Sequence, residues 1–243
     1  MSLAGRGIVV TRPRALAPGL AARIEGAGGR AFLFPAIEIE DLPLPGVLQR
    51  AESFDLAIFV SPTAVDTAAH AVRRWPRVAA VGAGTRQALE QRGISPVLAP
   101  HGEADSEALL ALRELQQMAG RRVLIVRGEG GRALLGDALT ARGAQIEYAE
   151  CYRRVRPTAD AAPLLASWAS DRIHAVTVNS GEALDNLVAL LGDAGREPLR
   201  GTPLFVSHDR VASAAARLGV RQAIVAGPAD EQMLQRLVAY FSA

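Results

Sequence analysis

"GRRVLIVRGEGGRALLGDALTARGAQIEY" (Gly120–Tyr148) lies without a gap over "GRGIVVTRPRALAPGLAARIEGAGGRAFL" (Gly5–Leu33). Gly5, Arg6, Arg12, Leu20 and Gly28 fall on Gly120, Arg121, Arg127, Leu135 and Gly143. Each copy starts as a short apolar run, breaks at a polar junction, continues as an amphipathic stretch and stops at glycine. That is the pattern of a strand, a turn and a helix. The copies extend further. "AVTVNSGEALDNLVALLG" answers "LAIFVSPTAVDTAAHAV", setting Ser180 on Ser61, Ala183 on Ala64 and Asp185 on Asp66. "PLFVSHDRVASAAARLG" answers "VAAVGAGTRQALEQRG", and "QAIVAGPADEQMLQRLV" answers "SPVLAPHGEADSEALLAL". A duplicated alternation of strands and helices predicts two similar α/β lobes, each a doubly wound parallel sheet of about five strand–helix units.

A plain cut between the copies does not suffice. "FPAIEIED" (Phe34–Asp41) alternates Ile37 and Ile39 with Glu38 and Glu40, and its counterpart "AECYRRVR" (Ala149–Arg156) carries Arg153, Arg154 and Arg156. Two extended segments of opposite charge make favourable cross-strand pairs when they run antiparallel. The expected architecture is therefore one domain inserted into the other. Residues 1–34 and 155–243 form a discontinuous α/β domain, 39–150 an inserted α/β domain, and 35–38 with 151–154 a two-stranded antiparallel linker.

Composition narrows the function classes. With 49% hydrophobic and 21% charged residues the chain reads as soluble and globular, and no stretch approaches the length of a membrane span. The opening residues hold an apolar run of only three, Ile8–Val10, which is too short for a secretory signal. A single cysteine, Cys151, excludes an internal disulfide and suits a reducing cytoplasm. His70, His101, His174 and His208 are scattered without metal-ligand spacing, so no metal site is expected. Aromatic residues are only 5% and the arginines are not interleaved with them, which argues against nucleic acid. Arginine does suit carboxylates and phosphates, because its planar fork grips two oxygens at once. The expected ligand is a small polyanion.

"VAAVGAGTRQAL" (Val78–Leu89) has the look of a dinucleotide loop, but Gln87 stands where the third glycine belongs and no acidic residue closes the next strand. Its copy, Val206-Ser207-His208-Asp209, has no glycine. What the copies share is a strand ending at a helix N-terminus, where amides and the helix dipole attract anions. Thr11-Arg12-Pro13, Ser61-Pro62-Thr63, Arg127-Gly128-Glu129 and Asn179-Ser180-Gly181 are junctions of the same kind. Ser61, Thr85 and Ser180 read as helix N-caps that leave further amides exposed. Arg12 and Arg127, at strand ends, are candidates to hold carboxylates. His208 is a candidate ligand contact, His174 a packed histidine and Cys151 a structural thiol. Tyr152 is a candidate proton donor, and packing of the ribbon is the plainer use of Tyr148 and Tyr152.

Taken in order, "VTRP" (Val10–Pro13), "FPAIEIE", "FVSPTAV" (Phe59–Val65), "VGAGTRQAL", "DSEALL" (Asp105–Leu110), Arg127-Gly128, "YAECYRR" and "VNSGEAL" resemble the uroporphyrinogen-III synthase family over essentially the whole chain. The resemblance implies two α/β domains joined by a two-stranded linker with the active site in the cleft. It implies closure of hydroxymethylbilane, a linear tetrapyrrole with acetate and propionate arms, to uroporphyrinogen III with inversion of the last ring and loss of water. It further implies a cytoplasmic monomer without metal or cofactor. Carried over residue by residue, Tyr152 helps the hydroxyl leave, while Arg12, Ser61, Thr85, Arg127, Ser180, Ser207 and His208 contact the substrate. The chain departs from the family pattern at Arg210, where a Gly-x-x-Thr signature would put Thr. The alternative is a two-lobed intracellular binding or sensor protein that closes on an anion without reacting it.

Overall fold

A computed structural model describes residues 2–100, 105–131 and 133–242. His101 and the rest of the junction through Ala104 lie outside the described residues, as does Arg132. The chain runs through β1 (Gly7–Val10), α1 (Ala17–Gly26) and β2 (Arg30–Leu33). It continues through β3 (Glu38–Asp41), β4 (Leu56–Phe59), α2 (Pro62–Ala68), β5 (Arg77–Ala80), α3 (Ala83–Gln91) and β6 (Val97–Leu98). There follow α4 (Ser106–Ala111), β7 (Arg122–Gly128), α5 (Leu134–Ala141), β8 (Gln145–Val155) and α6 (Ala162–Ala169). It ends with β9 (Ala175–Val178), α7 (Gly181–Gly201), β10 (Leu204–Val206), α8 (Asp209–Arg217), β11 (Ala223–Val225) and α9 (Asp230–Phe241). Two compact units result: Met1–Glu38 with Val155–Ala243, and Ile39–Arg154.

Each unit holds one sheet. The first has the order β11-β10-β9-β1-β2 and the second β6-β5-β4-β7-β8, with β3 added outside β8. The ladders from β11 to β2 and from β6 to β8 are all parallel. Strands that are copies in sequence occupy the same places: β1 and β7, β2 and β8, β9 and β4, β10 and β5, β11 and β6. In the second unit the copy of β1–β2 comes last along the chain, so one unit is built inside the other.

The strands form because their residues are apolar on both faces. In β4, Leu56 and Ile58 join a core on one side of the sheet while Ala57 and Phe59 join the core on the other. β7 divides the same way, Val123 and Ile125 against Leu124 and Val126. Only a sheet covered by helices on both faces tolerates such continuous runs. In the first unit Ile8, Val10, Ala175 and Phe205 pack with Leu20, Ile24, Met233 and Leu237. The copies also turn alike. Gly28 (φ +84) and Gly143 (φ +85) each carry the chain from helix to strand in the left-handed region that favours glycine.

The pairing expected of residues 35–38 with 151–154 is made a few residues further on. Phe34 N–H donates to Val10 O and Ala36 N–H to Thr11 O, both at 3.0 Å, and Ala36 and Ile37 are buried. These bonds hold the chain to the first unit until Glu38. β3 then lies along β8, with Leu42 N–H donating to Cys151 O at 3.0 Å and Arg153 paired with Glu40 at 2.7 Å. Residue numbers rise on one strand as they fall on the other, the sense of an antiparallel pair. The segment 151–154 is the end of one eleven-residue strand, β8, rather than a separate element.

Candidate active site at the sheet crevices

In a doubly wound sheet the crevice lies at the carboxyl edge, where the strand order reverses. That point falls between β7 and β4 in the second unit and between β1 and β9 in the first.

In the second unit, Ser61 ends the β4 junction with extended backbone and caps α2, its Oγ accepting from Ala64 N–H at 3.0 Å. The Tyr152 phenol lies 3.0 Å from the same Oγ in a hydrogen bond. Tyr152 reaches it because of a register shift. β8 pairs Glu150 with Arg127 but Tyr152 with Gly128, leaving Cys151 as an extra residue. Strict alternation would put Tyr152 on the face of Tyr148 and Glu150. The bulge turns it instead onto the face of Ala149 and Cys151, among the residues packed with Phe59 and Ala64. Gly128 completes the fit, since a Cβ there would lie 2.7 Å from the ring atoms Cε2 and Cζ of Tyr152. The result is a phenol 4% exposed yet held at the crevice.

The remaining expectations divide. Thr85 does not cap α3. Gly82 is the N-cap, and Thr85 lies buried within the first turn. The first bond of that helix is Arg86 N–H to Gly82 O, so the amides of residues 83–85 belong to the turn that has no intrahelical acceptor. A Cβ at Gly84 would touch Pro62 at 3.8 Å, so the starts of α2 and α3 lie side by side. In the first unit Ser180 caps α7 and accepts from Ala183 N–H at 3.1 Å, in copy of Ser61. Ser207 is buried and donates to Asn179 O at 2.7 Å. His208 is the exposed N-cap residue of α8, and its side chain makes no capping bond. His174 is packed as expected, its Nδ1 accepting from Gly7 N–H at 2.9 Å. Burial pushes the Cys151 thiol up to about 11, the behaviour of an inert structural cysteine.

Arg12 and Arg127 require a correction. Neither presents an open fork. Arg12 donates through Nε to Asn179 Oδ1 at 3.0 Å and through Nη2 to Pro228 O at 2.8 Å, and its Nη1 is paired with Asp230. Arg127 gives Nε and Nη2 to Glu150 Oε1 at 3.1 and 2.9 Å and Nη1 to Gly131 O at 3.2 Å, with Tyr148 stacked against it. Their side chains are 13% and 14% exposed. Both arginines fasten the crevice walls of their own unit. Asp230 and Glu150, the carboxylates that hold them, escape a reading of the sequence, because partners brought together by folding leave no local pattern.

The profile of the family described as uroporphyrinogen-III synthase HemD matches residues 19–235. Uroporphyrinogen-III synthase of Escherichia coli (strain K12) is 38% identical over 241 residues, covering 94% of this chain and 98% of the relative. The chain belongs to the uroporphyrinogen-III synthase family. The enzyme of that name from Salmonella typhimurium is likewise 38% identical over 242 residues, with the same coverage. Two solved structures share the fold at lower identity. The uroporphyrinogen-III synthetase of Helicobacter pylori 26695 has a TM-score of 0.65 at 14% identity, covering 97% of this chain and 99% of that one. A mutant uroporphyrinogen III synthase of Thermus thermophilus has a TM-score of 0.62 at 19% identity, covering 98% and 99%. No helix among the described residues of this synthase-family chain is long and apolar enough to cross a membrane.

Proposed function

We propose that this member of the family closes hydroxymethylbilane to uroporphyrinogen III at the crevice where Ser61 meets Tyr152. The observation that carries the assignment is the phenol–hydroxyl contact of 3.0 Å, held by a bulge and a glycine at a carboxyl-edge junction. The phenol gives its proton to the departing hydroxyl, the C–O bond breaks with the electrons going to oxygen, and water leaves. The azafulvene that remains is attacked by the substituted carbon of the last ring, and the spiro intermediate reopens and recloses inverted. The proton lost as the pyrrole regains aromaticity returns to the phenolate, so the sum is loss of one water. Ser61, already accepting from Ala64 N–H, stabilises the transient phenolate by donating its own hydrogen.

Most of the work is conformational. The substrate is reactive by itself, and holding it bent toward the correct carbon can supply several orders of magnitude in rate. First-turn amides of α2 and α3 are the groups that the second unit offers to its acid arms, and the Ser180-capped start of α7 and the exposed His208 at α8 are ends of the same kind in the first unit. The reading carries with it a cytoplasmic monomer that uses no cofactor and no nucleic acid.

Incubation with hydroxymethylbilane and separation of the type I and type III isomers tests the assignment. Type III should accumulate. Tyr152→Phe should cut kcat about a hundredfold or more, the range of a lost general acid, and cost no more than about the 1 kcal/mol of the phenol–serine bond in urea unfolding. Type I alone, at the spontaneous rate, would instead favour the two-lobed binding protein.

A further inference from the structure

The amino edge of the second unit's sheet carries a feature that ring closure does not use. Arg77 opens β5 and Val97 opens β6, at the ends of these strands opposite the Ser61 junction. A groove of about 950 Å³ lies there, lined by Arg73, Arg74, Arg77 and Arg92 and by no aspartate or glutamate. Its size is at the upper end of small-ligand pockets, which run to roughly 1,000 Å³. Arg92 is paired with Asp66 at 2.8 Å. Among the described residues, the side chains of Arg73, Arg74 and Arg77 have no hydrogen bond, ion pair or ring contact. Three like charges within five residues of chain give this edge a concentrated positive charge.

The groove also has a fixed aromatic wall. Trp75 stands within the arginine run, its Nε1 donating to Ala69 O at 3.1 Å and its ring edge-on to Phe59 with centroids 4.9 Å apart. Val72 and Ile94 extend the apolar surface beside it. The other unit provides an internal comparison. There the end of α7, the end of α8 and the approach to β11 enclose a groove of about 260 Å³ lined by Arg196, Arg200 and Arg217. Arg196 is paired with Asp193 at 3.2 Å and Arg200 with Glu197 at 2.9 Å. The same place in the fold is small with two of its three arginines paired in one copy, and large in the other, where Arg73, Arg74 and Arg77 have no ion pair among the described residues.

We propose that the arginine groove binds a flat aromatic polyanion, its anionic oxygens gripped by Arg73, Arg74 and Arg77 and its ring plane lying against Trp75. Guanidinium forks bind carboxylate and phosphate oxygens alike, and a rigid indole selects a planar scaffold. The ligand class thus has two sources, aromatic polycarboxylates and nucleoside polyphosphates.

The test uses the full chain carrying Trp168→Phe, so that Trp75 is the sole indole, and follows fluorescence and heat on titration. The probes are benzenehexacarboxylate, ATP, inorganic triphosphate and a hexaglutamate peptide. Benzenehexacarboxylate or ATP should bind about tenfold or more tighter than triphosphate and change Trp75 emission, and whichever binds better names the source. Arg73→Gln/Arg74→Gln/Arg77→Gln should weaken that binding roughly a hundredfold and leave ring closure unchanged. Tyr152→Phe should leave the groove's affinity untouched, which separates this proposal from the assignment of the reaction. Equal affinity for triphosphate, binding insensitive to the triple substitution, or a hexaglutamate affinity matching the aromatic probes would overturn it.

Discussion

Gly128→Ala tests the packing on which the candidate site depends. The added methyl would sit 2.7 Å from Cε2 and Cζ of Tyr152 and 3.1 Å from its hydroxyl oxygen. Gly128 lies outside the left-handed region, so the substitution brings no backbone penalty and the clash acts alone. The ring cannot swing aside, because it is 4% exposed and bonded to Ser61. Overpacking of this kind costs about 1–3 kcal/mol, and loss of the phenol–serine bond adds about 1 kcal/mol. The second unit should therefore lose about 2–4 kcal/mol, read from urea unfolding followed by Trp75 emission in a Trp168→Phe background.

A double-mutant cycle isolates the cause. With Tyr152→Leu the ring is gone, and the alanine methyl moves into space the ring vacated. The cost of Gly128→Ala should then fall below about 1 kcal/mol, a coupling of at least about 1 kcal/mol between the two positions. Turnover of Gly128→Ala should drop at least as far as that of Tyr152→Phe, since the methyl displaces the phenol from Ser61. An equal loss of stability with tyrosine and with leucine at 152 would refute the reasoning.

Ser61→Ala and Ser180→Ala should each lose about 1 kcal/mol of stability as N-caps, but the first should lower kcat and the second raise KM, separable by steady-state kinetics. Cys151, its thiol pushed up to about 11 by burial, should stay unreactive to a disulfide reagent at pH 8 until denaturant is added; rapid labelling of the folded chain would contradict this. The Asp55 carboxyl is held low by the Arg122 N–H and then Arg121, and Glu147 by Arg50, so the stabilisation they give is present above the ordinary values of 3.8 and 4.5 and is lost as pH falls through the lowered folded values. The urea midpoint of the second unit should fall below pH 4.5, less steeply in Asp55→Asn.

The duplication is legible because it is written in apolar periodicity and glycine stops, which are local. Val9 and Val10 against Leu124 and Ile125, and Gly28 against Gly143, need no partner elsewhere in the chain to be read as strand and turn. The crossover between units is legible in charge, and Glu40 with Arg153 does pair; its exact start is not, because the bonds of Phe34 and Ala36 to Val10 and Thr11 are long-range. The arginines show the same divide. Their place at strand ends is visible, whereas Asp230 and Glu150 lie far away in sequence or on the neighbouring strand, so occupied guanidiniums read as available ones. Thr85 passes for a cap because glycine can serve as one without a side-chain oxygen, which leaves Gly82 unmarked.

The two copies separate roles that a single unit would have to combine. In repeat alignment Tyr152 falls on Ile37, and both are buried, so the position carries a phenol in one copy and an aliphatic side chain in the other. Gly128 falls on Pro13, and the opening that admits the ring is thus also confined to one copy. What both keep is the capping serine, Ser61 or Ser180, and an arginine locked at the strand end. Replacing Ile37 by Tyr should then add no activity, because the glycine that admits the Tyr152 ring is a proline in this copy and the β1–β2 ladder runs in register from Gly7 with Arg30 to Val10 with Leu33.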